Sequence, residues 1–569
     1  MFFIRKKMPR SHALGEPLLH ENHRKPVTRR ELLGAGLKTA PALVIGPAWL
    51  GAALKSPKAF AQYAADVTAL STPNQCGIAS QSTGIPVICF DLAGGANLVG
   101  SEVIVGTQGG QSNFLTTAGY GKMGLPGNMV PTANSTFVSN TFGLLWHSDG
   151  AIYRGMLTTA TTPATAANTN GAVICAMSQN DTGQNTHNPM YGIAMAGARG
   201  QLLNLVGNVS SVSGGNSAAV PYMINPLFQP TTIALPSDDV ALVSTGGAPA
   251  DPVSVEVLMS QARISGGSYT NTQTVTTNVY TGGTTGSTGS EFGGMLTAPT
   301  SSLGGVNLYN ANGTTPTLNE GILKNQVRCA YMQAAYTAAS FGNPASLDPT
   351  KDQNIVGGAT PIFTAAQMAS DSDIQKTASV MKLVINGFAT AGTITLSGFD
   401  YHDSTRATGE TRNFKAGQMI GAVLEYAQRV GKRVMVYVFS DGSLSSSSMV
   451  DTSVAGRDKL AWQGDNQSVA STFFLVYNPG GRPQLLNGVA GQQIGYFTAG
   501  GAVDPSSSPA ANSVTQIPEV MLLNYLGLQG MTSQFSSIFP TQGLGGSSAW
   551  SALTAFAPIT TPIPPPPTA

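Results

Sequence analysis

The sequence is poor in charged residues. Asp, Glu, Lys and Arg together make up 10% of the 569 residues, and the formal net charge is +1 at pH 7. A nucleic-acid-binding protein needs a basic surface to neutralise phosphates, and a disordered acidic or basic tail needs dense charge of one sign. The scarcity of charge disfavours both classes. It suits an exported globular protein with long uncharged loops.

The small net charge hides an uneven distribution. Residues 1–61 contain 11 of the 29 Lys and Arg and 3 of the 28 Asp and Glu, so the rest of the chain has a formal charge of −7. The twin arginine Arg29-Arg30 is followed by an apolar stretch at 40–54 and by the A-x-A sequence ending at Ala61. This pattern predicts a twin-arginine signal peptide over 1–61 and a periplasmic or secreted protein. A short anchoring helix is the alternative, but the stretch is short and interrupted.

Cysteine and long hydrophobic runs are also scarce. The four cysteines form no C-x-x-C pair, which argues against a zinc knuckle or a thioredoxin-like motif. Cys89 and Cys175 lie in apolar runs and are predicted to be buried core thiols. A Cys76–Cys329 disulfide is compatible with the periplasm, although the spacing does not establish it. After signal cleavage, no segment has the length of a transmembrane helix, so no membrane span is predicted.

The segments that are rich in apolar residues predict an α/β fold. Strands are predicted at residues 85–91, 171–177, 393–396, 434–439 and 472–477. Helical spacing occurs at residues 321–342, 360–390, 414–430 and near 516–526. Strands that alternate with helices indicate a mostly parallel sheet covered on both faces. We expect one domain over 62–555, with a Thr/Gly-rich inserted arm at 265–305 and a Pro-rich tail at 556–569.

Polar residues follow several of the predicted strands. Asp91, the pair Asp400 and His402, and Asp441 all lie at such positions. The carboxyl ends of parallel strands share one edge of a sheet, where ligands bind. Carboxylates and imidazoles gathered there could form a hydrolytic metal centre. The alternatives are that Asp91 and Asp441 cap helices, and that the Asp400–His402 stretch is a solvated turn.

Histidine is rare beyond the signal peptide. Only His147, His187 and His402 follow residue 61. His187 lies in the polar loop after the second predicted strand, and His402 lies two residues after Asp400. His147, beside Trp146, is better explained as a packed or surface histidine than as a ligand. A centre that needs many imidazoles is therefore difficult to build.

Six segments resemble, in the same order, motifs of a twin-arginine-exported family of unknown function in the alkaline phosphatase and sulfatase superfamily. They are FDLAGGANLVG (90–100), LLWHSDG (144–150), QNTHNP (184–189), GFDYH (398–402), FSDGS (439–443) and QGDNQS (463–468). The resemblance covers most of the predicted mature chain. It implies an alkaline-phosphatase-like three-layer sandwich with a mostly parallel central sheet.

The resemblance also implies a set of site residues. They are the metal ligands Asp400, His402, Asp441 and Asp465, and the catalytic residues Thr186, as nucleophile, and His187. The chain departs from the family where Asn97 replaces an acidic residue and where Asn466 replaces an imidazole. An amide is a poor zinc ligand, so the di-zinc centre is incomplete. One calcium or magnesium ion with oxygen ligands remains feasible.

These observations lead to three functional hypotheses. The first is an exported, divergent hydrolase of a phosphate or sulfate ester with a degraded site, dependent on a divalent metal such as Zn, Ca or Mg. The second is a non-catalytic scaffold, or a secretion-associated protein that binds a partner in the cell envelope. The third is a carbohydrate-binding surface protein, since uncharged Asn, Gln and Thr loops suit sugar hydroxyls. None of the three involves nucleic acid.

Overall fold

The computed structural model describes residues 82–133, 135–178, 183–225, 228–242 and 346–562. The predicted signal peptide, the inserted arm at 265–305, the helical segment at 321–342 and the end of the Pro-rich tail lie outside these residues. Cys76 and Cys329 also lie outside them.

The described residues form one large sheet and two small ones. The strands are β1 Val87–Gly94, β2 Val138–Ser139, β3 Trp146–His147, β4 Thr169–Cys175, β5 Leu205–Gly207, β6 Thr231–Thr232, β7 Ala391–Phe399, β8 Val434–Ser440, β9 Leu444–Asp451, β10 Lys459–Asp465, β11 Ser471–Tyr477 and β12 Gln493–Ile494. Eight of them form the central sheet in the order β12-β4-β11-β8-β1-β7-β5-β6. The hairpins β9–β10 and β2–β3 form the two-stranded sheets.

The central sheet is mostly parallel, as predicted. Within it, β11 runs antiparallel to both of its neighbours, β4 and β8, and the other neighbouring strands run parallel. The α/β class is therefore confirmed. The finer expectation of an alkaline-phosphatase-like fold stays a prediction.

Helices cover both faces of this sheet. They are α1 Thr117–Lys122, α2 Ala151–Thr159, α3 Pro163–Ala167, α4 Met190–Met195, α5 Pro236–Ala241, α6 Ala365–Ser370, α7 Ser372–Ile385, α8 Ala407–Arg429, α9 Gln516–Gly527, α10 Phe535–Ile538 and α11 Ser547–Leu553. Helices α2, α7 and α8 contribute to one hydrophobic cluster, and α4, α9 and α11 contribute to the other. No helix of the described residues combines the length and the apolar character needed to cross a membrane.

The strands divide their side chains between these two clusters. In β1, Phe90 and Leu92 belong to the first cluster, whereas Val87 and Cys89 belong to the second. This alternation follows from the two-residue period of a strand. Burial of both faces explains why the strand segments are almost continuously apolar. Cys89 and Cys175 are buried free thiols, as predicted.

Helix α8 begins earlier than its apolar spacing predicts. The expected start was residue 414, whereas the structure begins the helix at Ala407. The carboxylate of Asp451, at the end of β9, accepts hydrogen bonds from the backbone N–H groups of Arg406 (2.7 Å) and Ala407 (3.1 Å). A carboxylate at a helix N-terminus satisfies N–H groups that the helix itself cannot pair. Asp451 of the β9–β10 hairpin therefore stabilises the additional N-terminal residues of α8.

Candidate metal site at the carboxyl edge of the sheet

The predicted site residues gather because three parallel strands are adjacent. Strand β1 lies between β7 and β8 and pairs with both in parallel register. Their carboxyl ends therefore meet at one edge, with Asp400 and His402 following β7 and Asp441 following β8. Asp465 reaches the same edge at the end of β10, where it pairs with Leu444, four residues after Ser440.

The spacing of Asp400 and His402 has a structural reason. Tyr401, between them, is buried, and its hydroxyl accepts from the Asn97 backbone N–H and donates to Asn413 Oδ1, both at 3.1 Å. The side chains of Asp400 and His402 are 55% and 41% exposed. An extended chain alternates its side chains, so anchoring Tyr401 inward turns both of its neighbours outward.

Asp400, His402 and Asp465 form a cluster of possible metal ligands. Each offers one ligand atom, and these atoms all lie within 4.8 Å of one another. His402 Nε2 lies 2.6 Å from Asp400 Oδ1. Two carboxylates and one imidazole suit zinc, and the carboxylate oxygens also suit calcium or magnesium. The donor set fits a divalent cation with positions left open for other ligands.

The glycine at the end of β1 allows the chain after β7 to pack closely against it. Gly94 has φ of +135°, and a Cβ atom there would lie 2.2 Å from the backbone nitrogen of Asp400. A side chain at this position would push the β7 loop away. We therefore attribute the first glycine of the Gly94-Gly95 pair to a close backbone approach rather than to phosphate binding.

Asp441 lies at the same edge but belongs to a different environment. Its side chain is buried, and Oδ1 accepts from the backbone N–H of Gly94 (2.8 Å). Oδ2 accepts from the side-chain amide of Asn216 (2.9 Å). The cluster of three possible ligands does not include Asp441. The two donors to Asp441 come from the end of β1 and from the loop at 213–217.

Asp91 is a second buried carboxylate, satisfied by the loop at 213–217. Its oxygens accept from the backbone N–H of Asn216 (2.7 Å), the backbone N–H of Ser217 (2.8 Å) and the Ser217 hydroxyl (3.1 Å). Burial raises the pKa of Asp91 to about 6, and the hydrogen bonds from Ser217 and Asn216 oppose that rise. Asn216 thus joins the two buried carboxylates through its main chain and its side chain.

The predicted catalytic residues make contacts away from the exposed cluster. The Thr186 hydroxyl lies 3.0 Å from the Thr515 hydroxyl. The His187 ring is buried and stacks on Phe439 with a centroid distance of 6.0 Å, and neither ring nitrogen has a hydrogen-bond partner among the described residues. Burial lowers the pKa of His187 to about 4. The catalytic roles of Thr186 and His187 stay a prediction.

Asn97 and Asn466, the two asparagines that differ from the motifs of the resembled family, have local structural roles. Asn97 donates from Nδ2 to the Leu444 carbonyl (3.0 Å) and accepts at Oδ1 from the Val99 N–H (3.2 Å). Asn466 accepts at Oδ1 from the backbone N–H (3.1 Å) and the hydroxyl (2.7 Å) of Ser468. Each amide holds the turn that follows it.

His147 is buried, as the packing interpretation of the sequence expects. Its ring stacks on Phe137 with a centroid distance of 5.2 Å, and Nε2 lies 3.0 Å from the Met129 carbonyl. Burial is the main cause that lowers its pKa to about 4.

Sequence reasoning missed a buried charge network beside helix α8. Lys459 Nζ donates to Glu410 Oε1 (2.8 Å) and to the Asp149 carbonyl (2.7 Å), and Arg406 Nε donates to Glu410 Oε1 (3.0 Å). Burial alone would raise the pKa of Glu410, but the charges of Lys459 and Arg406 outweigh it and lower the pKa. The partners come from distant parts of the chain, so no local motif reveals them. The same holds for Asn216 and Ser217.

Comparison with known proteins adds no relative. The chain matches no family model, no curated protein and no solved structure.

Proposed function

We propose that this chain is an exported, alkaline-phosphatase-like protein that binds one divalent cation through Asp400, His402 and Asp465. In this proposal, the cation serves to bind an anionic ester group, a phosphate or a sulfate, at the sheet edge. The observation that carries it is the approach of the three ligand atoms to within 4.8 Å of one another. Asp465 reaches this cluster from a strand distant in sequence, which is more informative than the short Asp400–His402 spacing.

Binding is favoured over turnover by the state of the other predicted residues. The carboxylates of Asp91 and Asp441 are occupied by N–H and O–H donors of the protein. A second cation there would have to displace Asn216 from both of them. The Thr186 hydroxyl is hydrogen-bonded to the Thr515 hydroxyl, and the buried His187 ring stacks on Phe439. Neither contact is with the exposed ligand cluster.

The exposure of the cluster favours an anionic ligand that comes from solvent. Three protein ligands leave part of the coordination shell of zinc, and more of that of calcium or magnesium, to other oxygens. Phosphate and sulfate esters offer such oxygens. The mature chain carries little positive charge of its own to hold an anion, so the cation would supply it.

The test is calorimetric titration of the metal-stripped mature protein with Zn²⁺, Ca²⁺ and Mg²⁺. We expect binding of one equivalent of at least one cation, and a loss of affinity of about tenfold or more in Asp465→Asn, because that change removes a ligand charge. Asp504→Asn is the matched control, since the Asp504 carboxylate accepts from the backbone N–H and the hydroxyl of Ser506 within its own turn. Equal affinities in the wild type and in Asp465→Asn would contradict the proposal.

Ester hydrolysis is the second candidate function. The one observation in its favour is Asp91, a buried carboxylate at the same edge whose pKa burial raises to about 6. Turnover of aryl phosphate and aryl sulfate in the presence of each cation tests it. Activity that disappears in Thr186→Val and survives in Thr515→Val would favour hydrolysis over binding alone.

A further inference from the structure

The segment that carries two of the cation ligands runs alongside the β9–β10 hairpin, which carries the third. His402 and Asp400 lie near Asp465 at the base of the hairpin. Three residues later, the Thr405 carbonyl accepts from the Trp462 backbone N–H (3.0 Å). Residues 400–405 therefore run antiparallel to β10: residues 400 and 402 lie near its last residue, Asp465, and Thr405 contacts Trp462, three residues earlier.

The same order continues into helix α8. The backbone N–H groups of Arg406 and Ala407 donate to the Asp451 carboxylate, at the far end of β9. One turn later, Glu410 accepts from Lys459 Nζ, at the first residue of β10. The segment 400–410 is therefore attached to the hairpin at successive points from its base to its tip.

The middle of this contact is buried and closely packed. Trp462 is fully buried, with the Arg406 guanidinium 4.3 Å from its ring centroid and the Tyr401 ring 5.9 Å away. A Cβ atom added at Gly409 would lie 2.5 Å from Trp462 Nε1. Dense packing transmits a displacement rather than absorbing it. A change at the base of the hairpin is thus coupled to the first turn of α8.

We infer that the cation acts as a latch: it cross-links segment 400–410 to the β9–β10 hairpin and stabilises the contact that the two segments already make. This inference rests on the proposed function, because it uses the same three ligands. A cation held by Asp400 and His402 on one side and by Asp465 on the other joins the two segments at the base. By linkage, cation binding stabilises the closed contact, and the closed contact raises the affinity for the cation.

The first test is hydrogen exchange of the mature protein, metal-stripped and then loaded with the cation that binds by calorimetry. We expect amides in peptides covering 403–410 and 445–465 to exchange at least about fivefold more slowly in the loaded protein. Peptides from β4 and β11 are the internal reference and should not change. Loading without such protection overturns the inference and leaves the proposed function intact, whereas absence of binding overturns the proposed function itself.

The second test uses a residue that belongs to the latch but not to the cluster of ligands. Asp451→Ala removes the acceptor of two α8 N–H groups, and we expect it to weaken cation affinity about fivefold or more. Asp451→Asn keeps one acceptor oxygen and should show a smaller loss, which separates coupling from general unfolding. Asp504→Ala is the control and should bind normally. Unchanged affinity in a folded Asp451→Ala protein would overturn the inference.

Discussion

The sheet edge contains two groups of carboxylates that differ in what surrounds them. Asp400 and Asp465, with His402, are exposed and close to one another. Asp91 and Asp441 are buried and receive donors from Gly94, Asn216 and Ser217. The same residue type thus serves two purposes within one edge, because a buried carboxylate depends on donors of the protein whereas an exposed one can also exchange its contacts with solvent and ions.

The burial of each carboxylate indicates whether a ligand from solvent can reach it. Chain position alone treats Asp400 and Asp441 alike, since each follows a parallel strand of the sheet. The structure distinguishes them by burial. The exposed group can be reached by a cation from solvent, whereas the buried pair Asp91 and Asp441 accepts hydrogen bonds from Gly94 and from the loop at 213–217.

The largest expected contrast is in stability. Asp441→Ala removes a buried carboxylate and the acceptor of two donors, the Gly94 N–H and the Asn216 amide, so we expect it to lower the free energy of unfolding by about 2–5 kcal/mol. Asp400→Ala, at an exposed position, should change it by about 0.5 kcal/mol or less without cation. Urea unfolding in the presence of a chelator measures both. Equal losses would remove the distinction between the two groups.

A second prediction concerns the pH dependence of stability near the buried group. The pKa of His187 is about 4 in the folded protein and about 6.5 in an unfolded chain. The unfolded state therefore binds more protons between these values, and stability falls as the pH is lowered from 6.5 to 4, by up to about 3 kcal/mol. His187→Phe should therefore reduce the pH dependence of the free energy of unfolding. Because neither ring nitrogen has a partner among the described residues, the substitution should lower that free energy only slightly at pH 7.

His147→Phe provides the comparison for that experiment. The pKa of His147 is also lowered to about 4, but its Nε2 contacts the Met129 carbonyl. His147→Phe should also reduce the pH dependence of stability. Because it removes the contact with the Met129 carbonyl, it should lower the free energy of unfolding at pH 7 as well. Chemical unfolding at pH 4, 5, 6 and 7 measures both variants. A His187→Phe protein that keeps the full pH dependence would show that His187 does not have the lowered pKa.

The smallest expected effect comes from the residue that joins the buried carboxylates. Asn216→Ala removes the side-chain donor to Asp441 and keeps the backbone donor to Asp91, so the expected loss of unfolding free energy is about 1–3 kcal/mol. Asn487→Ala, which removes an exposed amide bonded to the Ser551 carbonyl, is the control and should cost less. A loss no larger than in the control would mean that Asn216 does not hold the buried pair.

The sequence predicts the parts of this edge that depend on local pattern. The apolar runs correspond to β1, β4, β7, β8 and β11, and the Asp400–His402 spacing places both side chains on one side of an extended segment. Strand direction is not encoded locally, so the antiparallel course of β11 is not predictable from its apolar residues. The β9–β10 hairpin is also missed, because the Ser-rich LSSSSMVD of β9 lacks apolar alternation.

The donors to the buried carboxylates are missed for a different reason. Asn216 lies 125 positions from Asp91 and 225 from Asp441 in sequence. Its loop contains only small and polar residues, which predict a turn and nothing more. Which carboxylate is occupied is decided by contacts between distant segments, so only the folded chain distinguishes a buried acceptor from an available ligand.

The most direct test of the cation site is anomalous X-ray diffraction from crystals of the mature protein soaked with Zn²⁺ and measured at the zinc absorption edge. The account predicts one peak within bonding distance of Asp400, His402 and Asp465, and loss of that peak in Asp465→Asn. A peak between Asp91 and Asp441, with none at the exposed cluster, would contradict it.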